Sequence, residues 1–276
     1  MRLGAGILIV LAVGAAAAGP WLLAAIVVSG LLAAGALSAG PAPGWVTASA
    51  GLARVCVFAW AFGAYVVPGA PGLAAAVLIL VVTAAALAGV PVPDVVRRWI
   101  SGVLVLAAAV LVALCLAIRP VTVFAPVGAP SAGGLLLAVV VMFPLLVRAR
   151  RPGAIWWIAG SAVVALAVAA VALYQLGPVR LGLSATSLRD LLAAADAVQL
   201  GPLLTVVAAL ATISAALTGF TDAVAGLPRG HTMLGGVVAA ALAASVGPVI
   251  LLVLAALLAF AEVFAGVAAR YRDRRG

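Results

Sequence analysis

Three ionisable side chains, Arg54, Asp222 and Glu262, stand inside apolar runs of this chain. A charge within a membrane-spanning segment costs several kcal/mol unless it is paired or hydrated, so each needs a partner or a watery cavity. Arg54 and Asp222 occupy the inner parts of their runs and are expected to approach each other. Such a pair can be an inner gate or a proton-linked switch, and equally a static brace. Glu262, about two turns inside the end of the last run, can titrate with a proton gradient or reach toward the arginines that follow it. Ser214 and Thr218 lie one turn apart, so they can offer two hydroxyls to a solute or return both to their own helix.

The other candidate element is Gly4-Ala5-Gly6. Two glycines around one alanine weaken a helix and can leave backbone groups for a small solute or ion; the alternative is that small residues let helices pack closely. Catalytic chemistry has little to work with. The one histidine, His231, sits in a loop between runs and assembles neither a metal site nor a Ser/His/Asp arrangement, and no Gly-x-x-x-x-Gly-Lys motif occurs. The chain is read as no enzyme and no ATPase, with no cofactor and no metal.

Apolar helices must position these residues. Of 276 residues 68% are hydrophobic and 8% charged, with a mean hydropathy of +1.40, whereas soluble domains carry about 25% charged residues. The class is an all-α polytopic membrane protein, because a bilayer admits only helices and closed barrels and the runs here have helix lengths. The first run passes almost directly into a second, so no cleavable signal peptide is expected. The net charge of +9 comes from scattered arginines with no lysine, which reads as membrane orientation and not as nucleic-acid binding. Cys56 and Cys115 fall near opposite faces and are not expected to bridge.

Glycine, proline and arginine punctuation divides the chain into ten candidate spans, at 3–18, 20–39, 51–67, 71–90, 97–118, 131–147, 153–176, 201–227, 232–247 and 249–268. With the N-terminus inside, only Arg119, Arg180 and Arg189 fall outside, so both termini are expected to be cytoplasmic in the plasma membrane. Trp45, Trp99, Trp156 and Trp157 then fall at inner span ends, and Trp21 and Tyr174 at outer ones, as interfacial anchors. The Val246-Gly247-Pro248 break separates the last two spans.

One connection is structured. Ser187-Leu-Arg-Asp190 has the form of a capping box, and Leu188, Leu191, Leu192, Ala195 and Val198 repeat at helical spacing opposite Arg189, Asp190 and Asp196. This predicts an outer amphipathic helix, either a lid over a solute path or a helix lying in the interface.

The order of these features resembles the amino acid–polyamine–organocation (APC) permease superfamily. LGAGILIVLAVGAAAAGPWLLAAIVVSGLLAAGALSAG is similar to that family's opening, a Gly-x-Gly stretch in the first helix and a Gly-Pro turn before the second. VVTAAALAGVPVPDVVRRWISGVLVLAAAVLV resembles its fourth and fifth helices, VTVFAPVGAPSAGGLLLAVVVMF the approach to its sixth, and GPLLTVVAALATISAALTGFTDAVAGLPRG its eighth. The resemblance implies a leucine-transporter-like five-plus-five inverted repeat, with repeat one at 1–118, repeat two at 130–268 and a basic tail at 269–276. It further implies first and sixth helices broken near the midplane. Carried over, Gly4, Ala5 and Gly6 would face a substrate carboxylate, and Phe143 and Pro144 would lie at the sixth-helix break.

The departures are specific. Only Met1-Arg2-Leu3 precedes the glycines, Phe143-Pro144 leads almost at once to Arg148, and the first span is about 24 Å long against a core of about 30 Å. Where the family usually has an acidic residue ending the second helix, this chain has Ser38-Ala39-Gly40, and a position at which some members have lysine falls near Leu104. The expectation is a secondary-active transporter of amino acids or small amines working by alternating access, as a single transmembrane domain with a homo-oligomeric or membrane partner possible. The alternative is a non-transporting permease-like scaffold or accessory subunit. A third reading places the true start upstream of Met1. The lack of acids near Gly4–Gly6 speaks against a cationic substrate.

Overall fold

The structure, a computed structural model, describes residues 2–89, 93–118, 131–147, 153–184 and 186–273. All regular elements among them are helical: α1 Arg2–Ala18, α2 Leu22–Ala36, α3 Gly44–Val66, α4 Pro71–Leu87, α5 Asp94–Ala117, α6 Ala132–Leu146, α7 Ala154–Leu183, α8 Ser187–Ala194, α9 Gly201–Val224, α10 Arg229–Ser245 and α11 Pro248–Asp273. Prolines open α4 and α11, where a missing N–H costs nothing. Ser131 caps α6 by accepting the Gly134 N–H at 3.2 Å. Six stretches are long and apolar enough to cross a bilayer: 5–36, which contains α1 and α2, together with 44–66, 98–117, 154–183, 198–224 and 248–272. Pro71–Leu87 and Ala132–Leu146 are shorter apolar helices. The protein is a helical, multi-pass membrane protein by this composition.

α1 is the central element. Every residue from Ala5 to Ala12 is buried, and the helix packs against α3, α6, α7, α8 and α9. α3 is the second hub, packed against α4, α9, α10 and α11. Small residues set the closest approach: a Cβ on Gly51 would stand 2.5 Å from the Ala223 Cβ, so α3 and α9 can touch only because Gly51 has none. Helices also meet in the pairs α1 with α6, α2 with α7, α3 with α9, and α4 with α10. α5 packs against α7 and α9, and leaves Val105, Leu106, Val110 and Leu116 exposed. Trp45, Trp99, Trp156 and Trp157 stand exposed near the starts of α3, α5 and α7.

Each expected run corresponds to a helix, with four corrections. α7 runs on past 176, but Gly177 breaks it with φ 69° and ψ 165°, a conformation open essentially to glycine alone, and Pro178 restarts the helix. The capping box does not form, because Ser187 is the first residue of α8 and Thr186 occupies the cap position without a side-chain bond. Ser184 organises that turn instead, its hydroxyl accepting the Thr186 N–H at 3.2 Å. α8 also ends before Val198, which is 65% exposed in a separate 3-10 turn. His231 lies in the first turn of α10 and not in a loop.

Candidate functional site

The ends of five elements surround a cavity of about 540 Å³. Ala39 and Gly40 after α2, Arg54 and Phe58 on α3, Val147 after α6, Asp222 on α9 and Glu262 on α11 all face it. Arg54 is 7% exposed. Its Nη2 donates to Glu262 Oε2 at 3.0 Å, and its Nε donates to the Ala50 carbonyl one turn back at 3.0 Å. The second bond directs the guanidinium along α3 into the cavity. A buried guanidinium needs such partners, since desolvating an unpaired charge costs several kcal/mol.

Arg54 bridges to Glu262, a partner beyond the one expected, and Asp222, an exposed residue, stands on the wall of the same cavity. Among the described residues Glu262 bonds no C-terminal arginine. Arg270 instead donates to the Ser38 carbonyl at the end of α2, and the Gly40 N–H donates to the Gly266 carbonyl at 3.0 Å, closing one side of the cavity by joining α2 to α11. Among the described residues no group of three His, Cys, Asp or Glu side chains is placed to hold a metal ion.

The glycine element lies in the first two turns of α1. α1 is continuous from Arg2 through Gly4, Ala5 and Gly6, so the N–H groups of Ala5 and Gly6 lie within regular helix. Gly6 serves close packing: a Cβ there would lie 2.5 Å from both methyl carbons of Leu145. α6 is likewise continuous through Phe143 and Pro144 and ends at Leu146, Pro144 falling in its last turn. Phe143 is buried and stacks on Phe260 of α11, with ring centroids 4.4 Å apart and planes within 10°. Ser214 donates to the Ala211 carbonyl at 3.1 Å and Thr218 to the Ser214 carbonyl at 2.8 Å, both on their own helix. Gly6 and Phe143 thus make contacts between helices, Ser214 and Thr218 bond their own helix, and the ionisable three share a cavity.

A cluster at the opposite end of α3 was not foreseen. Tyr65 is fully buried, donates its hydroxyl to the Leu8 carbonyl of α1 at 3.2 Å, and accepts the Leu188 N–H of α8 at 3.4 Å. Arg189 donates to the Tyr65 carbonyl and to Thr205 Oγ1 at 3.3 Å, with its guanidinium carbon 5.8 Å from the Tyr65 ring centre. Helical spacing placed Arg189 on the solvent face of α8; here that face meets the C-terminus of α3, whose last carbonyls lack helical partners. The sequence signal was an arginine on the polar face of the connection, beside Asp190. The chain matches no protein-family model, and no curated protein matches it.

Proposed function

We propose that the chain is a secondary-active transporter of amino acids or related small amines, working by alternating access around α1, with both termini cytoplasmic in the plasma membrane. The observation that carries this reading is the cavity holding Arg54, Asp222 and Glu262, enclosed where α2, α3, α6, α9 and α11 meet. A five-plus-five inverted repeat is supported by the packing of α1 with α6, α2 with α7, α3 with α9 and α4 with α10, counterparts under exchange of the halves. The contacts of α1 with α7 and of α2 with α6 are a further pair that such an exchange would interconvert. α8 then docks against α1 at Leu8 through Tyr65.

The substrate reading shifts toward an amine. Two carboxylates and one guanidinium line the cavity among the described residues, so a cationic amino group finds a favourable potential there. In this mechanism the Arg54–Glu262 pair acts as the inner gate, exchanging part of its mutual attraction for contacts with the entering solute. No step requires a cofactor.

The alternative is a non-transporting membrane scaffold or accessory subunit of the same fold. Its specific support is the unbroken α1 through Gly4–Gly6, where the solute-binding backbone of the resembled permeases would lie. Uptake and counterflow of labelled amino acids and amines into proteoliposomes separate the two. Saturable uptake, weakened by Arg54→Met, is the transporter's outcome; no uptake from well-folded protein under either a proton or a sodium gradient is the scaffold's.

A further inference from the structure

A second cavity, of about 370 Å³, separates α5 from the bundle. α5, α7 and α9 form its walls, Ile7 and Leu8 of α1 its depth, and Leu188 and Leu192 of α8 its far end. Among the described residues, every lining side chain is apolar apart from the hydroxyls of Ser101 and Ser161 and the indole of Trp157. A bound water needs two to four polar partners, so the cleft suits hydrocarbon. Along α5 it extends from Ser101 to Leu114, about 20 Å at 1.5 Å per residue. Half of a bilayer core of about 30 Å is what one leaflet's acyl chains span, so the cleft takes one such chain at full depth.

Its mouth carries the complementary headgroup chemistry. Ser101 and Trp157 lie near the starts of α5 and α7, and tryptophan favours the headgroup level. Arg98 is exposed one turn before Ser101 and on the same face of α5. A guanidinium so placed binds phosphate oxygens through paired N–H groups. We propose that this cleft binds one anionic phospholipid, its phosphate at Arg98 and one acyl chain running between α5 and α9 past Ala108 and Leu111.

The test is native mass spectrometry of the full chain in mild detergent, with phosphatidylglycerol and phosphatidylcholine of identical acyl chains. Wild type is expected to retain the anionic lipid about fivefold better, the scale of one arginine at a charged membrane surface. Arg98→Gln should level the two lipids. Ala108→Trp, which fills the cleft, should lower retention of both at least about tenfold, whereas Leu106→Trp on the exposed side of α5 should change neither. Equal retention of both lipids by wild type, wild-type retention in Ala108→Trp, or equal losses in Leu106→Trp and Ala108→Trp would overturn the proposal. So would a dimer that Ala108→Trp dissociates with its lipid retained. If Ala108→Trp does not give a monodisperse helical protein, Leu111→Phe occupies the same space and is judged by the same outcomes.

Discussion

Arg54 and Glu262, 208 positions apart in the chain, meet at 3.0 Å across the cavity between α3 and α11. Because Arg54 is buried and Glu262 is about one-fifth exposed, the pair is neither a surface ion pair of negligible worth nor a fully dry one. Glu262→Gln keeps an acceptor but removes the charge, and should cost about 1–3 kcal/mol, the range for hydrogen bonds to a charged group. The double variant Arg54→Met, Glu262→Leu should recover most of that loss, since two apolar side chains leave no charge behind. Thermal unfolding in detergent reads both. A Glu262→Gln protein as stable as wild type would show that cavity water and the other contacts of Arg54 hold the guanidinium without the Glu262 charge.

Asp222 tests the electrostatics of the cavity apart from its stability. It is exposed on the cavity wall, so Asp222→Asn should cost unfolding no more than about 1 kcal/mol, the upper range for a solvated charge contact. For an amine substrate the same change should raise KM by up to about fivefold, as loss of one solvated charge contact does. The difference should shrink at high salt. A KM that falls instead would point to an anionic substrate.

The contact between Gly6 and Leu145 distinguishes packing from ligand binding in α1. Gly6→Ala places a methyl 2.5 Å from the ends of Leu145 and should cost about 1–3 kcal/mol through overpacking. Leu145→Ala alone removes a buried side chain at a cost of about 2–5 kcal/mol. Combined, the new methyl occupies part of the space that Leu145 vacates, so the double variant should lose clearly less than the two single losses together. Strict additivity would mean that Gly6 is there for something other than α6.

The helices were readable because lipid forces every backbone group into internal hydrogen bonds, so apolar runs between Gly, Pro and Arg had little choice but to be helical. The proline starts at Pro71 and Pro248 and the break at Gly177-Pro178 lie where the residue types demand them. The bond from Arg54 to Glu262 was not readable. Asp222 and Glu262 lie at similar depths in their runs, and only the packing of α3 against both α9 and α11 brings the two carboxylates to one cavity with the guanidinium. Gly4–Gly6 shows the same ambiguity in backbone terms, since a glycine that weakens a helix and a glycine that admits a leucine are one residue type. Arg148, Arg150 and Arg151, on which the inner-face assignment partly rests, lie outside the described residues, as do Arg119 and the whole 121–130 segment used for the sixth-helix resemblance.

Arg189 offers the sharpest test of α8 as a docked lid. Eight residues are too few to hold a helix alone in water, so α8 must draw its order from what it docks on. Burial of Leu188, Leu191 and Leu192 supplies the apolar part of that docking, and Arg189 supplies the polar part by bonding the end of α3 and Thr205 of α9. Arg189→Met keeps the aliphatic stem and removes the bonds. Local opening of α8 should then become about tenfold more frequent, corresponding to about 1.4 kcal/mol. Hydrogen exchange followed by mass spectrometry should show this over residues 187–194, with the middles of α3 and α9 unchanged. Tyr65→Phe should loosen the same segment less, because it removes only the weaker bond from the Leu188 N–H and the link to Leu8. If α8 is a lid, Arg189→Met should also speed solute exchange from the outer side; faster amide exchange with unaltered counterflow would make α8 a fixed cover over the end of α1.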